Sequence, residues 1–160
     1  MSFAGNVQDE PAAKDVAERQ RRLSVLAKAP GKELLSCWKQ TGLDPVVELL
    51  RGPETGLVAL RGQVGGNGQP FQVGEVSATR VTVRIGSGEV GHAMISGRDG
   101  RKAQLVAVID ALAQDPAHAD MIERDIVAPL EKLASGSDAK LREETAATRV
   151  NFFTMVRGED

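Results

Sequence analysis

"ETGLVALRGQVGGNGQPFQVGEVSATRVTVRI", residues 54–85, is the stretch of sequence that decides the fold class. Apolar and polar residues alternate on both sides of a glycine-rich cluster at 65–68. Such alternation is typical of β-strands, because successive side chains point to opposite faces. Glycine supplies the backbone freedom that a tight turn needs. The stretch therefore predicts two strands joined by a glycine turn.

The second of these strands, from about 71 to 85, continues into another hairpin. Its odd-numbered residues share one face, which carries apolar residues near the end of the strand. A turn at 86–89 and a return strand at 90–96 complete a predicted meander of at least three antiparallel strands. The meander begins at about 46, although the segment 46–51 alone is compatible with a strand or a helix.

Helical patterns lie on both sides of this meander. Residues 11–29 and 32–39 predict an N-terminal helical hairpin, which is broken at Pro30 and Gly31. The second helix should end at Thr41-Gly42.

After the meander, Asp99 predicts the N-cap of a helix with one apolar stripe, and Asp115-Pro116 predicts the start of another helix. Pro129 should kink or restart that second helix. Residues 135–138 predict a turn, and a polar helix should follow over 139–148. The predicted fold class is therefore α+β: a helical hairpin, an antiparallel meander, C-terminal helices and a terminal apolar strand.

Composition excludes several classes of function. The chain has 160 residues, a net charge of −2 and one cysteine, so nothing indicates nucleic acid, an anionic membrane or an intrachain disulfide. The longest apolar run is too short for a membrane span, and residues 1–14 lack the pattern of a secretory signal. We predict one cytoplasmic domain over residues 1–160, with residues 1–10 as a loose terminus.

Neither glycine-rich segment forms a complete phosphate-binding motif. The cluster at 65–68 lacks a following Gly-Lys-Ser/Thr and precedes a strand rather than a helix. The segment 86–91, GSGEVG, matches G-x-G-x-x-G but joins two predicted strands, so the helix N-terminus that holds a pyrophosphate is missing. Turn formation explains both segments.

Other polar motifs are similarly incomplete. His92 lies on a predicted strand, where it is either a base or a structural residue. Residues 36–39 have Ser-x-x-Lys spacing without the partners of that motif. The basic run at 19–22 indicates a solvated helix face. No catalytic constellation and no metal site are predicted.

The choice of basic residue is unusual between residues 40 and 101, because lysine is absent there and arginine is frequent. Guanidinium groups pair bidentately with carboxylates and phosphates. Two interpretations remain open, namely ion pairing between neighbouring strands, or a subunit interface or phosphate-rich site. The arginines are Arg51, Arg61, Arg80, Arg84, Arg98 and Arg101. The candidate contacts with substrate or partner are Arg80, Arg84, Arg98, Glu75 and His92.

Three specific words carry a family resemblance: Pro-Glu-Thr-Gly-Leu-Val at 53–58, Pro-Phe-x-x-Gly-Glu at 70–75 and Phe-Phe-Thr-Met-Val-Arg-Gly at 152–158. With the sequence around them, residues 23–158 resemble the PhnG subunit family of the bacterial carbon–phosphorus lyase system. The resemblance implies a cytoplasmic core complex that joins an alkylphosphonate to the ribose C1′ of ATP and displaces adenine.

The resemblance also implies a role for this chain. The other core subunits, PhnH, PhnI and PhnJ, would be its partners, and ATP and the alkylphosphonate would be substrates of the complex. The chain itself would hold no cofactor and would be an accessory subunit that favours phosphonate over water as the nucleophile. A pure scaffold and an independent nucleotide-binding enzyme are the alternatives.

The apolar run at 150–156 raises the question of assembly. This strand-like segment follows a polar helix that offers it little to pack on. It either extends to another subunit, where exchange between two copies would give an intertwined homodimer, or folds back onto its own sheet.

Overall fold

The computed structural model describes residues 9–63 and 68–147, and it confirms the α+β class. Two helices precede a three-stranded antiparallel sheet, and further helices follow it. The terminal apolar run and the glycine turn between the first two strands lie outside the described residues. The elements are α1 (Asp9–Lys28), α2 (Gly31–Thr41), β1 (Val47–Gln63), β2 (Pro70–Ile85), β3 (Val90–Ser96), α3 (Gly100–Leu112), α4 (Pro116–Ile122), a π-helical turn (Glu123–Val127) and α5 (Ala128–Ala147).

The sheet has the order β1-β2-β3 with both pairs antiparallel, which confirms the meander. Residues 47–51 belong to the same strand as the apolar segment after them, so β1 is 17 residues long. Its register with β2 shifts between Leu49 and Glu54. Pro53 lies in this irregular part, and proline cannot donate a ladder hydrogen bond.

The core forms where the inner face of the sheet packs on α3. The buried residues Val81, Val83 and Ile85 of β2 lie beside Ala93 and Ile95 of β3 on this face. The prediction of one apolar stripe on α3 was wrong in extent, since residues 106–112 are all buried. The reason is that α3 contacts the sheet and also the helices α1 and α4.

The N-terminal helical hairpin is confirmed. Leu26 of α1 and Leu34 of α2 are completely buried, and both helices pack against later elements of the chain. Gly42 ends α2 in the left-handed region, with φ of 66°, which glycine adopts without steric cost.

The caps of the later helices are also confirmed. The side chain of Asp99 accepts a hydrogen bond from the Lys102 N–H, and that of Asp115 accepts one from the Ala117 N–H. Pro129 lies in the first turn of α5, directly after the π-helical turn, so the helix restarts there as expected.

The predicted turn at 135–138 is wrong, because α5 continues through it. The Ser135 hydroxyl donates to the carbonyl of Glu131, one helical turn earlier, at 2.9 Å. This bond satisfies the serine inside the helix, so its preference for turns is not expressed.

Candidate functional site

The outer face of the sheet, opposite α3, carries charged side chains that pair between β1 and β2. Arg84 donates from Nη1 to Oε2 of Glu48 at 3.0 Å. Glu54 lies opposite Arg80 in the register and accepts from its Nε, also at 3.0 Å. Cross-strand ion pairing, one of the two interpretations of the arginine-rich segment, is thus present for both of these arginines.

Glu54 binds two guanidinium groups rather than one. Its Oε2 atom accepts from Nε of Arg51 at 2.9 Å as well as from Arg80. The hydrogen bond from Arg51, followed by that from Arg80, lowers the pKa of the Glu54 carboxyl. Two positive charges therefore share one negative charge, and the cluster has an excess of one positive charge.

A groove of about 530 Å³ lies between α1 and the free edge of β3, beside this cluster. Arg51 and Arg80 line it, together with His92 and Thr82 from the sheet. Polar residues of α1 form the opposite side, and apolar residues form the floor. The remaining lining residues are Gln20, Leu23, Ser24, Ala27, Val81, Ala93, Met94 and Val106. No acidic residue is among the described residues that line this groove.

His92 is held in place through its backbone and its ring. Its N–H donates to Oδ2 of Asp110 at 3.0 Å, and its Nδ1 lies 3.1 Å from the Thr82 hydroxyl. Asp110 has no exposed side-chain surface. It also accepts hydrogen bonds from both Nε and Nη2 of Arg19, at 3.0 and 2.7 Å. This contact raises the pKa of Arg19.

The sequence predicts that the basic run at 19–22 is a solvated helix face, but two of its arginines form ion pairs with other elements. Arg19 is paired with buried Asp110, and Arg21 pairs with Glu123 and Glu131 of later elements. The run braces α1 against the rest of the chain. Its partners lie about a hundred residues away, so the sequence offered no local signal for them.

The structure brings only part of the predicted site together. Arg80 and His92 line the groove, whereas Arg84, Arg98 and Glu75 do not. Arg98 is exposed in the connection from β3 to α3, and Glu75 is exposed opposite Ala59. Arg51, one of the six arginines of the segment, also lines the groove, although it is not among the predicted contacts. A register shift in β1 directs it towards Arg80, and that irregularity could not be predicted from alternation.

The second prominent feature is a β-ribbon, which consists of residues 56–63 of β1 and 70–77 of β2. At its base the Thr55 hydroxyl lies 2.9 Å from that of Thr79, which donates to the Gly97 carbonyl at 2.7 Å. Beyond this point both faces of the ribbon are exposed. Eight residues at about 3.3 Å each make it roughly 26 Å long.

The ribbon exposes apolar side chains on both of its faces. Leu57, on the inner face, is 67% exposed, and Val73 is 61% exposed. The register shifts between Leu60 and Arg61, so Phe71 lies opposite Gly62 and shares the outer face with the exposed residues Val58, Leu60 and Val76. The side chain of Val73 also lies on the side of Gly62. A two-stranded ribbon is marginally stable alone in water, and contiguous exposed apolar surface usually marks a protein interface.

None of the helices in the ranges 9–63 and 68–147 is long and apolar enough to cross a membrane. In the same ranges, no three His, Cys, Asp or Glu residues are grouped so that they could hold a metal ion.

The chain is thus an α+β protein with an exposed apolar ribbon, the kind of surface that usually marks a protein interface, and a groove whose charged lining residues are arginines. The particular family is shown by comparison: the chain belongs to the family of the phosphonate metabolism protein PhnG, whose model matches residues 17–158. It is 49% identical over 148 residues to the alpha-D-ribose 1-methylphosphonate 5-triphosphate synthase subunit PhnG of Rhizobium meliloti (strain 1021). That match covers 91% of this chain and 92% of the relative.

Proposed function

We propose that the chain is an accessory, non-catalytic subunit of a cytoplasmic complex that couples an alkylphosphonate to the ribose C1′ of ATP and displaces adenine. The name of the Rhizobium relative supports a synthase of this product class. The observation that carries the role of a subunit is the ribbon, whose apolar side chains are uncovered on both faces. Its partner would be another core subunit of the carbon–phosphorus lyase system, among PhnH, PhnI and PhnJ.

The groove supports positioning rather than nucleophilic catalysis. Thr82 and His92 form a hydroxyl–imidazole pair, which resembles a nucleophile beside a base. The nearby Asp110 carboxylate binds Arg19 and the backbone N–H of His92, not its ring. The orienting acid of a triad is therefore not supplied by Asp110.

Positioning is the difficult part of the proposed reaction. Water is abundant, whereas a phosphonate dianion is scarce and is repelled by the triphosphate of ATP. A subunit that excludes water and holds anions with fixed guanidinium groups would favour the phosphonate. The alternative, a pure scaffold, would bind its partners but leave the choice of nucleophile to them.

We expect the isolated chain to release no adenine from ATP and to form no ribose phosphonate, because the described residues contain no complete nucleophile triad. Adenine release can be followed by chromatography, with the assembled complex as the positive control. Sustained adenine release by chain shown by mass spectrometry to be free of partner subunits would contradict the accessory role.

We expect the double substitution Leu57→Ser/Val73→Ser to reduce co-purification of the other core subunits by at least about tenfold. Each substitution removes an apolar contact from an interface, where central apolar side chains carry most of the binding energy. Both side chains are exposed in the free chain, so its stability should change by only about 0.5 kcal/mol per site. The measurement is pull-down from cells that express all core subunits with one tagged chain.

The matched control is Leu35→Ser/Leu133→Ser, which alters two exposed leucines on helices outside the ribbon. This control should assemble normally. Sedimentation of the chain alone shows whether the ribbon instead joins two copies, as the expectation of a homodimer allows. Normal assembly of the ribbon variant with all its partners would rule out the ribbon as the docking element.

A further inference from the structure

We propose that the groove between α1 and β3 is a binding site for a tetrahedral phosphorus oxyanion with a small organic substituent, and that Arg51 and Arg80 are its principal ligands. The oxyanion is either the phosphonate or a phosphate of ATP. The biological identity of this ligand rests on the proposed function, whereas the binding itself is a property of the chain and can be tested separately.

Glu54 orients the two guanidinium groups for this role. Arg51 contacts Oε2 of Glu54 through Nε, and Arg80 contacts the same atom through Nε and Nη2. The two Nε atoms therefore lie within about 6 Å of each other. Nη1 of Arg80 and both terminal nitrogens of Arg51 have no partner among the described residues. They are left to donate to an anion, which planar guanidinium groups bind well.

His92 and Thr82 add uncharged donors beside the arginines. When the Thr82 hydroxyl donates to Nδ1 of His92, the proton of the neutral ring is on Nε2. That nitrogen then becomes a donor on the same exposed sheet face. The backbone N–H of His92 donates to buried Asp110, so the backbone that carries this ring is held in a fixed position.

The lining of the groove favours an anion over a cation or a peptide carboxamide. Its charged residues are both arginines, and its floor includes Leu23, Val81 and Val106. A second groove of about 670 Å³, between α1 and α4, also contains two arginines but includes Asp15, Glu18 and Asp120. Of these two grooves, only the first therefore combines an excess of positive charge with an apolar floor suited to an alkyl or ribosyl group.

The size of the groove is consistent with such a ligand. At about 530 Å³ it lies within the range of small-molecule sites, which is roughly 300–1,000 Å³. Arg84 is not part of it, because its guanidinium is paired one-to-one with Glu48 on a neighbouring part of the face. The site is thus smaller than the whole arginine-bearing surface.

The test is titration of the full chain with methylphosphonate and, separately, with ATP, followed by ³¹P NMR and calorimetry. The parent chain should bind at least one of them, and Arg51→Gln/Arg80→Gln should weaken that binding about ten- to a hundred-fold. The ligand that is bound identifies whether the site takes the phosphonate or the nucleotide. Absence of binding of both at millimolar concentrations would overturn the proposal.

The control is Arg84→Gln/Arg101→Gln, which removes the same charge from exposed positions outside the groove. It should bind as the parent does, at constant ionic strength. Equal weakening by the two double variants would show a diffuse charge effect and would also overturn the proposal. Thermal unfolding of each variant confirms that the fold is retained.

Activity of the assembled complex separates this inference from the proposed function. A complex containing Arg51→Gln/Arg80→Gln should still assemble, but should form less ribose phosphonate relative to hydrolysed ribose triphosphate. If the parent complex makes no ribose phosphonate, the proposed function fails while anion binding by the chain can still stand. If product ratios are unchanged and the chain does not bind anions, the inference fails while the subunit role stands.

Discussion

Replacement of Arg19 by methionine is expected to lower the free energy of unfolding by about 3 kcal/mol, the low end of the range for breaking a buried ion pair. The substitution leaves the Asp110 carboxylate, which has no exposed surface, with the His92 N–H as its one hydrogen-bond donor among the described residues. The guanidinium is 33% exposed, so water can partly replace it, and the low end of the range applies. Urea unfolding of the purified chain measures the loss.

Arg21→Met on the same helix is the matched control. Arg21 also contacts carboxylates, those of Glu123 and Glu131, but all three side chains are exposed. Surface pairs contribute only about 0–1 kcal/mol. The control should therefore unfold close to the parent.

A double variant tests whether the loss arises from the uncompensated charge. Arg19→Met/Asp110→Leu replaces the pair by apolar side chains, which is often close to neutral for stability. It should be more stable than Arg19→Met alone. Equal stability of Arg19→Met and the parent would show that Asp110 does not depend on Arg19.

The features of the fold that the sequence predicted well are those set by neighbouring residues. Alternation gave β2 and β3, Gly42 gave the end of α2, and the Asp99 and Asp115 caps gave two helix starts, because each depends on local backbone chemistry. The turn expected at 135–138 failed for a related reason. There α5 continues through residues with a local preference for turns, and the Ser135 hydroxyl donates to the Glu131 carbonyl within the helix.

Burial was harder to predict than secondary structure. The odd-numbered face of β2 runs from buried Val81 to exposed Glu75 without a change in the alternation, and the register with β1 shifts only beyond Gly74. Alternation shows which residues share a face but not where the covering helix ends. The exposure of the ribbon therefore could not be predicted from the sequence, although its strands are predicted.

The residues of the candidate site likewise include some that local sequence features predict and some that they do not. The arginine-rich composition drew attention to Arg80, and the strand position to His92, and both residues line the groove. Arg51 joins them only because β1 shifts register near Pro53. Asp110 does carry a sequence signal, because it is a lone acidic residue within a helix segment that is otherwise almost entirely apolar.

Gly91 occupies a point where β3 and α3 come into direct backbone contact. A Cβ atom at this position would lie 1.9 Å from the carbonyl oxygen of Ala107 and 2.7 Å from the N atom of Ala111. Both are backbone atoms of buried residues in α3, so neither can move as the end of a side chain would. This contact accounts for the last glycine of the GSGEVG segment, whereas Gly88, with φ of 107°, serves the turn.

Gly91→Ala is accordingly expected to destabilise the chain by about 3 kcal/mol or more, at or beyond the upper end of the usual cost of overpacking. Relief of the clash requires α3 to move away from β3, which would loosen the buried contacts on both sides of that helix. Gly56→Ala is the control, since a Cβ there meets nothing within 4 Å and alanine costs a strand less than glycine does. Urea unfolding of the two variants provides the comparison. If Gly91→Ala has the same midpoint of urea unfolding as the parent, then α3 and β3 do not approach each other as closely as their backbones indicate.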